Sequence, residues 1–414
     1  MKILFVLECS GFLANGTTTS CRRFAEELNK RGHEVKIVGC SIRDDYEYPY
    51  YYTVRDFNMW PFNGLIRKDG FQFTHVDNKL LYELIKSVDV VHLFLPFKLE
   101  SNARLIADQL GVPVTCAFHL QPNSITSALH LCNDFFNWIL YKSFHKYLYN
   151  WVSYVHCPSE MIKNKLKSLN YDNELRVMSN GISEYWHKVP SNRQYGDKFV
   201  VTMVGRLSKE KRQDLLIKAV RHSKYEKNIQ LVLCGDGPNK RKLKKLIKKL
   251  NFTNEPIIQF LSQEKLREFL SSIDLYAHCS DAEIEGLSCV EAFACGVVPV
   301  ISNSKLSATH TFSLCPESLF RHGKYKDLMK KIEYWYENKE KRAEYSIKYE
   351  ESAKEYALGK QVTLFEEFLG DAINLNQEKK DKQSLNNRKK DKKRRKKIFK
   401  KLYKQGVIEE MPKI

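Results

Sequence analysis

Residues 275–301 read LYAHCSDAEIEGLSCVEAFACGVVPVI, and the rest of the chain is best understood from this stretch. The apolar runs at 275–279 and 297–301 predict two buried strands, and the segment that starts at Ser288 predicts a helix between them. This order is typical of a parallel sheet covered by helices on both faces. Ligands of such sheets bind outside the carboxyl ends of the strands, so the loop before Ser288 is a candidate functional site.

The same alternation recurs in two series along the chain. The length of 414 residues and the apolar content of 43% suit two domains with sizeable cores and exclude wholesale disorder. Each series predicts an α/β, doubly wound, Rossmann-like domain, and the two domains are expected to face a cleft. The predicted strands are residues 3–7, 35–39, 90–95, 112–118, 154–157, 199–205, 229–235, 257–261, 275–279 and 297–301.

The two series of predicted strands and the polar C-terminal segment indicate the domain boundaries. An N-terminal Rossmann-like domain is predicted over residues 1–190 and a C-terminal one over residues 196–345. Residues 346–370 are predicted to form a helix that returns to the N-terminal domain. Residues 371–414 are polar and repetitive, and we expect a polybasic, largely disordered tail because they offer little apolar surface to bury.

The positive charge is concentrated in that tail. The chain has a net charge of +19, of which residues 379–404 carry +13 and the other 388 residues only +6. Ile398, Phe399, Leu402 and Tyr403 have the spacing of a short basic amphipathic helix. The tail is therefore expected to bind an anionic membrane surface, and the alternatives are a solvated charge run or a polyanion-binding segment.

Cysteine usage and hydropathy point to a cytosolic protein. The 11 cysteines form no C-x-x-C pair, so neither a disulfide framework nor a zinc ribbon is indicated, and buried reduced thiols are expected. The apolar run after Met1 stops at Glu8, which predicts a first buried strand rather than a signal peptide. The sequence contains no run of 18 apolar residues, so no membrane-spanning helix is predicted.

The loop before Ser288 has the chemistry of a ligand site. It enters a helix, so its backbone N–H groups suit a diphosphate or a hydroxyl-rich ligand. Glu283 and Glu291 are separated by seven residues on either side of this loop. Taken singly, Ser288 and Glu291 could form a capping box, and Glu283 could be a solvated loop acid.

The whole segment, however, resembles a known signature. Glu283-x7-Glu291 followed by AFACGVVP at 292–299 is similar to the motif of family 4 retaining glycosyltransferases, which have the GT-B fold. VGRLSKEK at 204–211 resembles the second motif of that family, and two further matches are CGDGP at 234–238 and SNGI at 179–182. The resemblance covers roughly residues 1–370, and it implies that the nucleotide sugar binds the C-terminal domain and the acceptor the N-terminal one.

The resemblance also implies roles for individual residues. Arg206 and Lys211 match the cations that neutralise the departing diphosphate, which suits their chemistry, and no bound metal or other cofactor is expected. Glu291 matches the ribose-binding glutamate and Glu283 the one beside the transferred sugar, although Glu285 could take that second role. The remaining expected donor contacts are Gly16, Gly205, Gly235, Gly286, Leu287 and Ser288.

In the N-terminal domain, the resemblance points to one histidine and one loop. His119 follows the predicted strand 112–118 at its carboxyl end and looks like the cleft histidine of the family, which faces the donor sugar. The loop 10–18 resembles the glycine loop beside the phosphates, with Gly16 as its glycine before the helix. Residues 260–263 depart from the family pattern near the base pocket, so the nucleotide base is left open, with UDP-sugar favoured.

Together these features predict a hexosyltransferase. The resemblance implies retention without a covalent intermediate, in which the departing phosphate takes the proton of the acceptor and Glu283 orients and stabilises. The expected acceptor is a glycolipid or lipid-linked saccharide at the cytoplasmic face of a membrane. The alternatives are a soluble sugar or protein acceptor and a nucleic-acid-binding protein acting through its tail. The aromatic segment 135–155 predicts either a helix packed on the sheet or an interfacial helix.

Overall fold

The computed structural model describes residues 1–8, 16–42, 45–57, 72–128, 133–190, 192–380 and 389–414. The chain divides into two compact units. The N-terminal unit consists of Met1–Met178 together with Gln361–Ile414, and the C-terminal unit is Ser179–Lys360. The first crossing between the units thus lies about a dozen residues before the predicted boundary at 190–196.

A parallel seven-stranded sheet forms the centre of the N-terminal unit. Its elements are β1 (Lys2–Leu7), β2 (Glu34–Gly39), β3 (Tyr51–Thr53), β6 (Val90–Leu93), β7 (Val114–Ala117), β8 (Tyr154–Cys157) and β9 (Glu174–Val177), with a separate antiparallel pair β4 (Asp56–Phe57) and β5 (Phe73–Thr74). The strand order is β3-β2-β1-β6-β7-β8-β9. In β1 every residue after Lys2 is fully buried, because helices cover both faces of the sheet.

Amphipathic helices cover this sheet. They are α1 (Gly16–Lys30), α2 (Asn78–Lys86), α3 (Lys98–Leu110), α4 (Pro122–Ala128), α5 (Asp134–Tyr147) and α6 (Glu160–Ser168), with a 3-10 turn at Tyr149–Trp151. Helix α1 buries Cys21, Phe24, Ala25 and Leu28, the stripe that its sequence spacing predicts. The side chain of Asp77 caps α2 by accepting from the N–H groups of Lys79 and Leu80.

The C-terminal unit contains a parallel six-stranded sheet. Its strands are β10 (Phe199–Val204), β11 (Ile229–Cys234), β12 (Ile257–Gln259), β13 (Leu275–His278), β15 (Val298–Asn303) and β17 (Leu319–Arg321), and a short parallel pair is formed by β14 (Ala282–Glu283) and β16 (Leu306–Ser307). The strand order is β12-β11-β10-β13-β15-β17. The order therefore reverses between β10 and β13, and this reversal marks the usual ligand crevice of a doubly wound sheet.

The helices of this unit are α7 (Gln213–His222), α8 (Lys240–Leu250), α9 (Gln263–Ser272), α10 (Leu287–Ala294), α11 (Tyr325–Glu337) and α12 (Lys339–Ala353), with 3-10 turns at Lys209–Lys211, Glu226–Asn228, Ala308–Phe312, Pro316–Ser318 and Lys354–Tyr356. The core joins strand residues such as Met203 and Leu233 to Trp335 of α11, and all three are buried. All ten strands predicted from the sequence form, and each of their ends lies within two residues of its predicted position. The short edge strands β3, β9 and β17 were not predicted. Each of these three strands has only three or four residues and contains at least one polar residue, so its apolar pattern is weak.

Two helices complete the N-terminal unit and change the prediction for the tail. Helix α13 (Leu358–Lys380) packs Phe365 edge-on against Phe5 and Phe24, with ring centroids 6.0 Å and 5.1 Å away. Helix α14 (Lys389–Lys404) follows. The prediction of a largely disordered tail over 371–414 is therefore wrong for residues 371–380 and 389–397, whereas the short helix predicted around Ile398 to Tyr403 forms as part of α14. Residues 381–388 lie outside the described residues.

Burial explains why α14 is helical. Ile398, Phe399 and Leu402 form one stripe and are buried against α2 and α3. The guanidinium of Arg104, which is fully buried, pairs with Asp391 at 2.7 Å and with Asp108 at 2.6 Å. Sequence composition alone gives no sign of this apolar and ionic partner, so it favours disorder.

The remaining sequence predictions concern cysteine and membrane spans. All nine cysteines among the described residues are buried free thiols. No helix in the part of the chain that the structure describes is long and apolar enough to cross a membrane.

Candidate active site

Tight backbone packing shapes the carboxyl ends of β10 and β11. The N–H of Gly205 donates to the carbonyl of Cys234 at 2.9 Å, and the N–H of Gly235 donates to the carbonyl of Gln259 at 2.8 Å. Gly235 has a φ of +153°, and a Cβ at this position would lie 2.0 Å from the carbonyl oxygen of Gly205. Only glycine fits there, because the backbone segments that follow β10 and β11 lie directly against each other.

The loop after Gly205 is held in one shape by its own side chains. Gln213 donates through Nε2 to the carbonyl of Arg206 at 2.9 Å, and the N–H of Leu207 donates to the carbonyl of Asp236 at 2.9 Å. The 3-10 turn Lys209–Lys211 then leads into α7. This fold of the loop brings Lys211 back over Gly205, where its Nζ would lie 4.0 Å from a Cβ of that glycine.

Lys211 follows β10 and forms an ion pair with Glu283, which follows β13. The strand order of the sheet reverses between these two neighbouring strands. The Nζ of Lys211 donates a short hydrogen bond to Oε1 of Glu283, which β14 positions after the end of β13. Nε2 of His278, the last residue of β13, lies 3.3 Å from the same oxygen. All three side chains are largely buried, so the loop that begins after β10 and the loop that begins after β13 meet in one electrostatic cluster.

The pKa values in this cluster follow from its charges. Burial by itself would raise the pKa of Glu283, but Lys211 and then His278 outweigh it and hold the pKa well below its ordinary value. Burial would lower the pKa of Lys211, yet Glu283 raises it above the usual lysine value. Burial lowers the pKa of His278. At neutral pH the cluster therefore contains an ammonium, a carboxylate and a neutral imidazole.

The start of α10 differs from the capping box considered for Ser288 and Glu291. The helix begins at Leu287, and Gly286 occupies the N-cap with a φ of +89°. Ser288 therefore lies inside the first turn, where its Oγ accepts from the hydroxyl of Tyr276 at 3.0 Å. A Cβ at Gly286 would lie 2.3 Å from Cγ2 of Thr309, so the close approach of the two segments requires glycine.

Glu285 points to a different partner from Glu283. Its carboxylate accepts hydrogen bonds from the hydroxyl of Ser179, from the N–H of Asn180 at 3.1 Å and from Nδ2 of Asn180 at 2.7 Å. The side chain is buried and contacts Ser179 and Asn180, where the chain enters the C-terminal unit. Of the two acids considered for the sugar, Glu283 is thus the one beside Lys211.

The predicted residues of the N-terminal unit lie at the carboxyl edge of its own sheet. His119 follows β7, is buried, and stacks on Phe94 with ring centroids 5.6 Å apart. His156 meets it edge-on at 5.3 Å, and burial together with His156 lowers the pKa of His119 well below its usual value. His119 is therefore neutral at pH 7.

Gly16 is the first residue of α1, and its carbonyl accepts from Oγ of Ser20 at 2.9 Å. The other residues of the predicted glycine loop, except those within α1, lie outside the described residues.

Two members of the cluster in the C-terminal unit were not predicted from the sequence. His278 and Tyr276 lie on β13, and the hydroxyl of Tyr276 approaches Nδ1 of His278 at 3.4 Å. A histidine as the last residue of a strand that runs into the signature loop was the available signal. Within the described ranges, no three His, Cys, Asp or Glu side chains are grouped as a metal site requires.

Comparisons with known proteins agree with this architecture. The sequence pattern described as Glycosyl transferases group 1 matches residues 185–363, and the pattern described as Glycosyltransferase Family 4 matches residues 14–184. The alpha-monoglucosyldiacylglycerol synthase of Streptococcus pneumoniae is 26% identical over 309 residues, 70% of this chain and 68% of that protein. The GDP-mannose-dependent alpha-mannosyltransferase of Corynebacterium glutamicum is 26% identical over 319 residues, 72% of this chain and 71% of that protein.

A solved structure shows the same fold. Anabaena HepE in complex with UDP and glucose matches with a TM-score of 0.70 and 18% identity, and the match covers 90% of this chain and 100% of that one.

Proposed function

The chain belongs to the family 4 glycosyltransferases and has their GT-B fold, and we propose that it is a retaining hexosyltransferase with a nucleoside diphosphate sugar, UDP-sugar favoured, as donor. Its proposed acceptor is a membrane-associated glycolipid or lipid-linked saccharide. The observation that carries the proposal is the ion pair of Lys211 and Glu283 at the reversal of strand order in the C-terminal unit. A cation and a carboxylate at this point suit the diphosphate and the sugar of one donor molecule.

The proposed roles begin with the leaving group. The diphosphate gains negative charge as the bond to the sugar breaks, and preorganised positive charge at that point lowers the barrier. Lys211 supplies one cation, and Arg206 supplies a guanidinium on the same loop. The proposed phosphate contacts are Gly205 and Gly235, which pack against each other after β10 and β11, together with Gly286, Leu287 and Ser288 at the start of α10. The N–H groups at the start of α10 add favourable dipoles.

Glu283 fits an orienting role better than that of a nucleophile or base. Its pKa is held well below the ordinary value, because Lys211 and His278 stabilise the carboxylate despite its burial. A carboxylate with so low a pKa accepts a proton poorly. We therefore propose that the departing phosphate takes the proton of the acceptor hydroxyl, while Glu283 binds sugar hydroxyls and Glu291 binds the ribose. The proposed role of neutral His119 is a contact with the sugar.

Two surfaces of the N-terminal unit support a lipid acceptor. Helix α5 exposes Phe135, Phe136, Trp138 and Ile139 to solvent, while Tyr141 and Phe144 pack inward. Such an exposed aromatic patch is typical of membrane or protein contact. The exposed face of α14 carries seven lysines: Lys392, Lys393, Lys396, Lys397, Lys400, Lys401 and Lys404.

The two surfaces are connected within the unit. Arg394 of α14 donates to Oγ of Ser101 at 3.0 Å, and that hydroxyl lies 3.5 Å from the carbonyl of Tyr147 at the end of α5. The relative from Streptococcus pneumoniae is named as a synthase of a glucosylated diacylglycerol, which also favours a lipid acceptor. We propose that these surfaces hold the enzyme at the inner face of the membrane.

A thermal-shift panel tests the donor. We expect UDP-glucose or another UDP-hexose at millimolar concentration to raise the melting temperature of the full chain, since a ligand that binds only the folded state stabilises it. Product analysis with vesicles that contain diacylglycerol or its monoglucosylated form then tests the acceptor and the anomeric configuration. If no nucleoside diphosphate sugar shifts the melting temperature, the donor assignment is refuted.

A charge-matched pair of variants tests the membrane surface. Replacing Lys396, Lys397, Lys400 and Lys401 by Gln should reduce binding to anionic vesicles strongly at low salt, since each lysine near the surface contributes about 1 kcal/mol. The control replaces Lys244, Lys245, Lys248 and Lys249, which are exposed on α8 of the other unit. Equal losses in both variants would indicate attraction by net charge alone. If the wild type does not bind vesicles at low salt, the soluble acceptor takes the place of the lipid.

A further inference from the structure

Glu285 is the acid of the signature loop that the transfer chemistry leaves without a role. It lies two residues after Glu283 and directly before the N-cap Gly286. Both of its carboxylate oxygens are nevertheless engaged, Oε1 by the hydroxyl of Ser179 and by the N–H of Asn180, and Oε2 by Nδ2 of Asn180. Burial and this set of hydrogen bonds distinguish Glu285 from an ordinary solvated loop acid.

The partner segment has a particular place in the chain. Ser179 is the first residue of the C-terminal unit and directly follows Met178, the last residue of the first part of the N-terminal unit. Oγ of Ser179 also accepts from the N–H of Gly181 at 3.0 Å, so the segment 179–181 forms a compact turn around one hydroxyl and one carboxylate.

The return crossing is joined to the same segment. The N–H of Ile182 donates to the carbonyl of Tyr356 at 2.8 Å, and the N–H of Leu358 donates to the carbonyl of Ile182 at 2.8 Å. A Cβ at Gly181 would lie 2.9 Å from Cα of Leu358. The two stretches by which the chain enters and leaves the C-terminal unit are thus bonded to each other, and Glu285 bonds the first of them to the signature loop.

We propose that Glu285 is a positioning residue that ties the entry segment 179–181 to the loop carrying Glu283, and thereby holds Glu283 in its place for donor binding and transfer. The inference rests on the proposed function, because it takes Glu283 as a donor contact. Since Glu283 and Glu285 are separated by one residue, a displacement of the Glu285 end of the loop moves Glu283 away from Lys211. Small displacements at a reacting centre cost large factors in rate.

The protonation of Glu285 provides a readout that a purely structural contact lacks. Burial raises the pKa of Glu285 to about 7, while the hydrogen bonds from Ser179 and Asn180 oppose that rise. The titratable group that faces it is Tyr356, whose own pKa is raised by burial and by Glu285, so it remains neutral near pH 7. A glutamine has the shape of the protonated acid and can still accept from Asn180, but it does not titrate.

Four variants test the proposal in the full chain. Glu285→Ala removes the tie, Glu285→Gln keeps it, Asn180→Ala removes the opposite partner, and Glu268→Ala is a control at an exposed glutamate of α9. We expect Glu285→Ala and Asn180→Ala to accelerate hydrogen exchange in a peptide that contains residues 179–182, and to lower kcat/KM for the donor by about tenfold or more. Glu285→Gln and Glu268→Ala should exchange like the wild type.

The pH profile completes the test. The wild type should show a change in kcat/KM near pH 7 that Glu285→Gln lacks. Unchanged exchange and unchanged kcat/KM in both Glu285→Ala and Asn180→Ala would overturn the proposal, as would a loss in Glu285→Gln equal to that in Glu285→Ala. If the wild type binds no donor, the proposed function fails, and the exchange measurement alone still decides whether Glu285 ties the entry segment.

Discussion

Lys211 and Glu283 are 72 residues apart in the sequence and form a largely buried ion pair between the carboxyl ends of β10 and β13. Both side chains lie on loops, and each loop follows a strand on one side of the point where the strand order reverses. The pair places one positive and one negative charge at the position where doubly wound sheets bind their ligands. The first predictions follow from this relationship.

Replacing either basic side chain, Arg206 or Lys211, should lower turnover more than it weakens nucleotide binding. Arg206→Ala and Lys211→Ala are each expected to lower kcat by about 10²-fold, because they act on charge that develops as the diphosphate departs. Steady-state kinetics and a separate measurement of nucleotide affinity check this expectation. Lys209→Ala removes an exposed lysine from the same 3-10 turn and should leave kcat unchanged. A rise in KM with an unchanged kcat would contradict the leaving-group role.

Glu283 should stabilise the folded chain above its ordinary titration range. Because its pKa is lowered in the folded state from 4.5, its contribution is present above pH 4.5 and is lost as the pH falls further. Glu283→Gln should therefore be less stable than the wild type by a constant amount above about pH 5.5. Denaturant unfolding between pH 3.5 and 8 would show the difference shrinking only at the acid end. A difference that grows toward acid pH would refute the ion pair.

The ionisation of Glu285 should change the free energy of unfolding in the opposite direction from that of Glu283. Its pKa is raised in the folded state from 4.5 to about 7, so the wild type loses stability relative to Glu285→Gln as the pH rises through this interval. The full change is of the order of 3 kcal/mol. The same unfolding series measures it, and the curves for the Glu283 and Glu285 variants should diverge from the wild type in opposite directions. A flat difference between pH 4.5 and 8 would show that Glu285 is ionised throughout.

The C-terminal helix should contribute to the stability of the N-terminal unit. Leu402 is fully buried, whereas the adjacent Tyr403 is half exposed. We expect Leu402→Ala to cost about 2–4 kcal/mol and Tyr403→Ala less than about 1 kcal/mol. Asp391→Asn should also destabilise, because it leaves the buried Arg104 with Asp108 as its remaining carboxylate. Equal effects of the Leu402 and Tyr403 substitutions would argue against the packed helix.

Transfer should continue when divalent metal ions are removed. Arg206 and Lys211 together supply the positive charge that a metal ion would otherwise bring to the diphosphate. Activity measured in EDTA should therefore stay within about twofold of the untreated value. Complete inhibition that added Mg²⁺ reverses would overturn the metal-independent mechanism.

The sequence alone determined most of the fold. Continuous apolar runs such as those that became β1 and β10 predict strands buried on both faces, because helices must cover them. The signature from Glu283 to Glu291 and the motif at 204–211 indicated the glycosyltransferase family, which the family comparisons confirm. Local periodicity and local motifs carry this information, since each depends on residues close together in the chain.

Only the tertiary structure decided which distant groups meet. It joined Lys211 and His278 to Glu283, turned Glu285 toward Ser179 and Asn180, and began α10 at Leu287 rather than at Ser288. It also packed α14 onto the N-terminal unit through three apolar side chains and one buried ion pair. The many lysines of this segment had favoured a prediction of disorder. Burial stabilises such contacts only once the partner surface has folded, and composition within a short window contains no record of that surface.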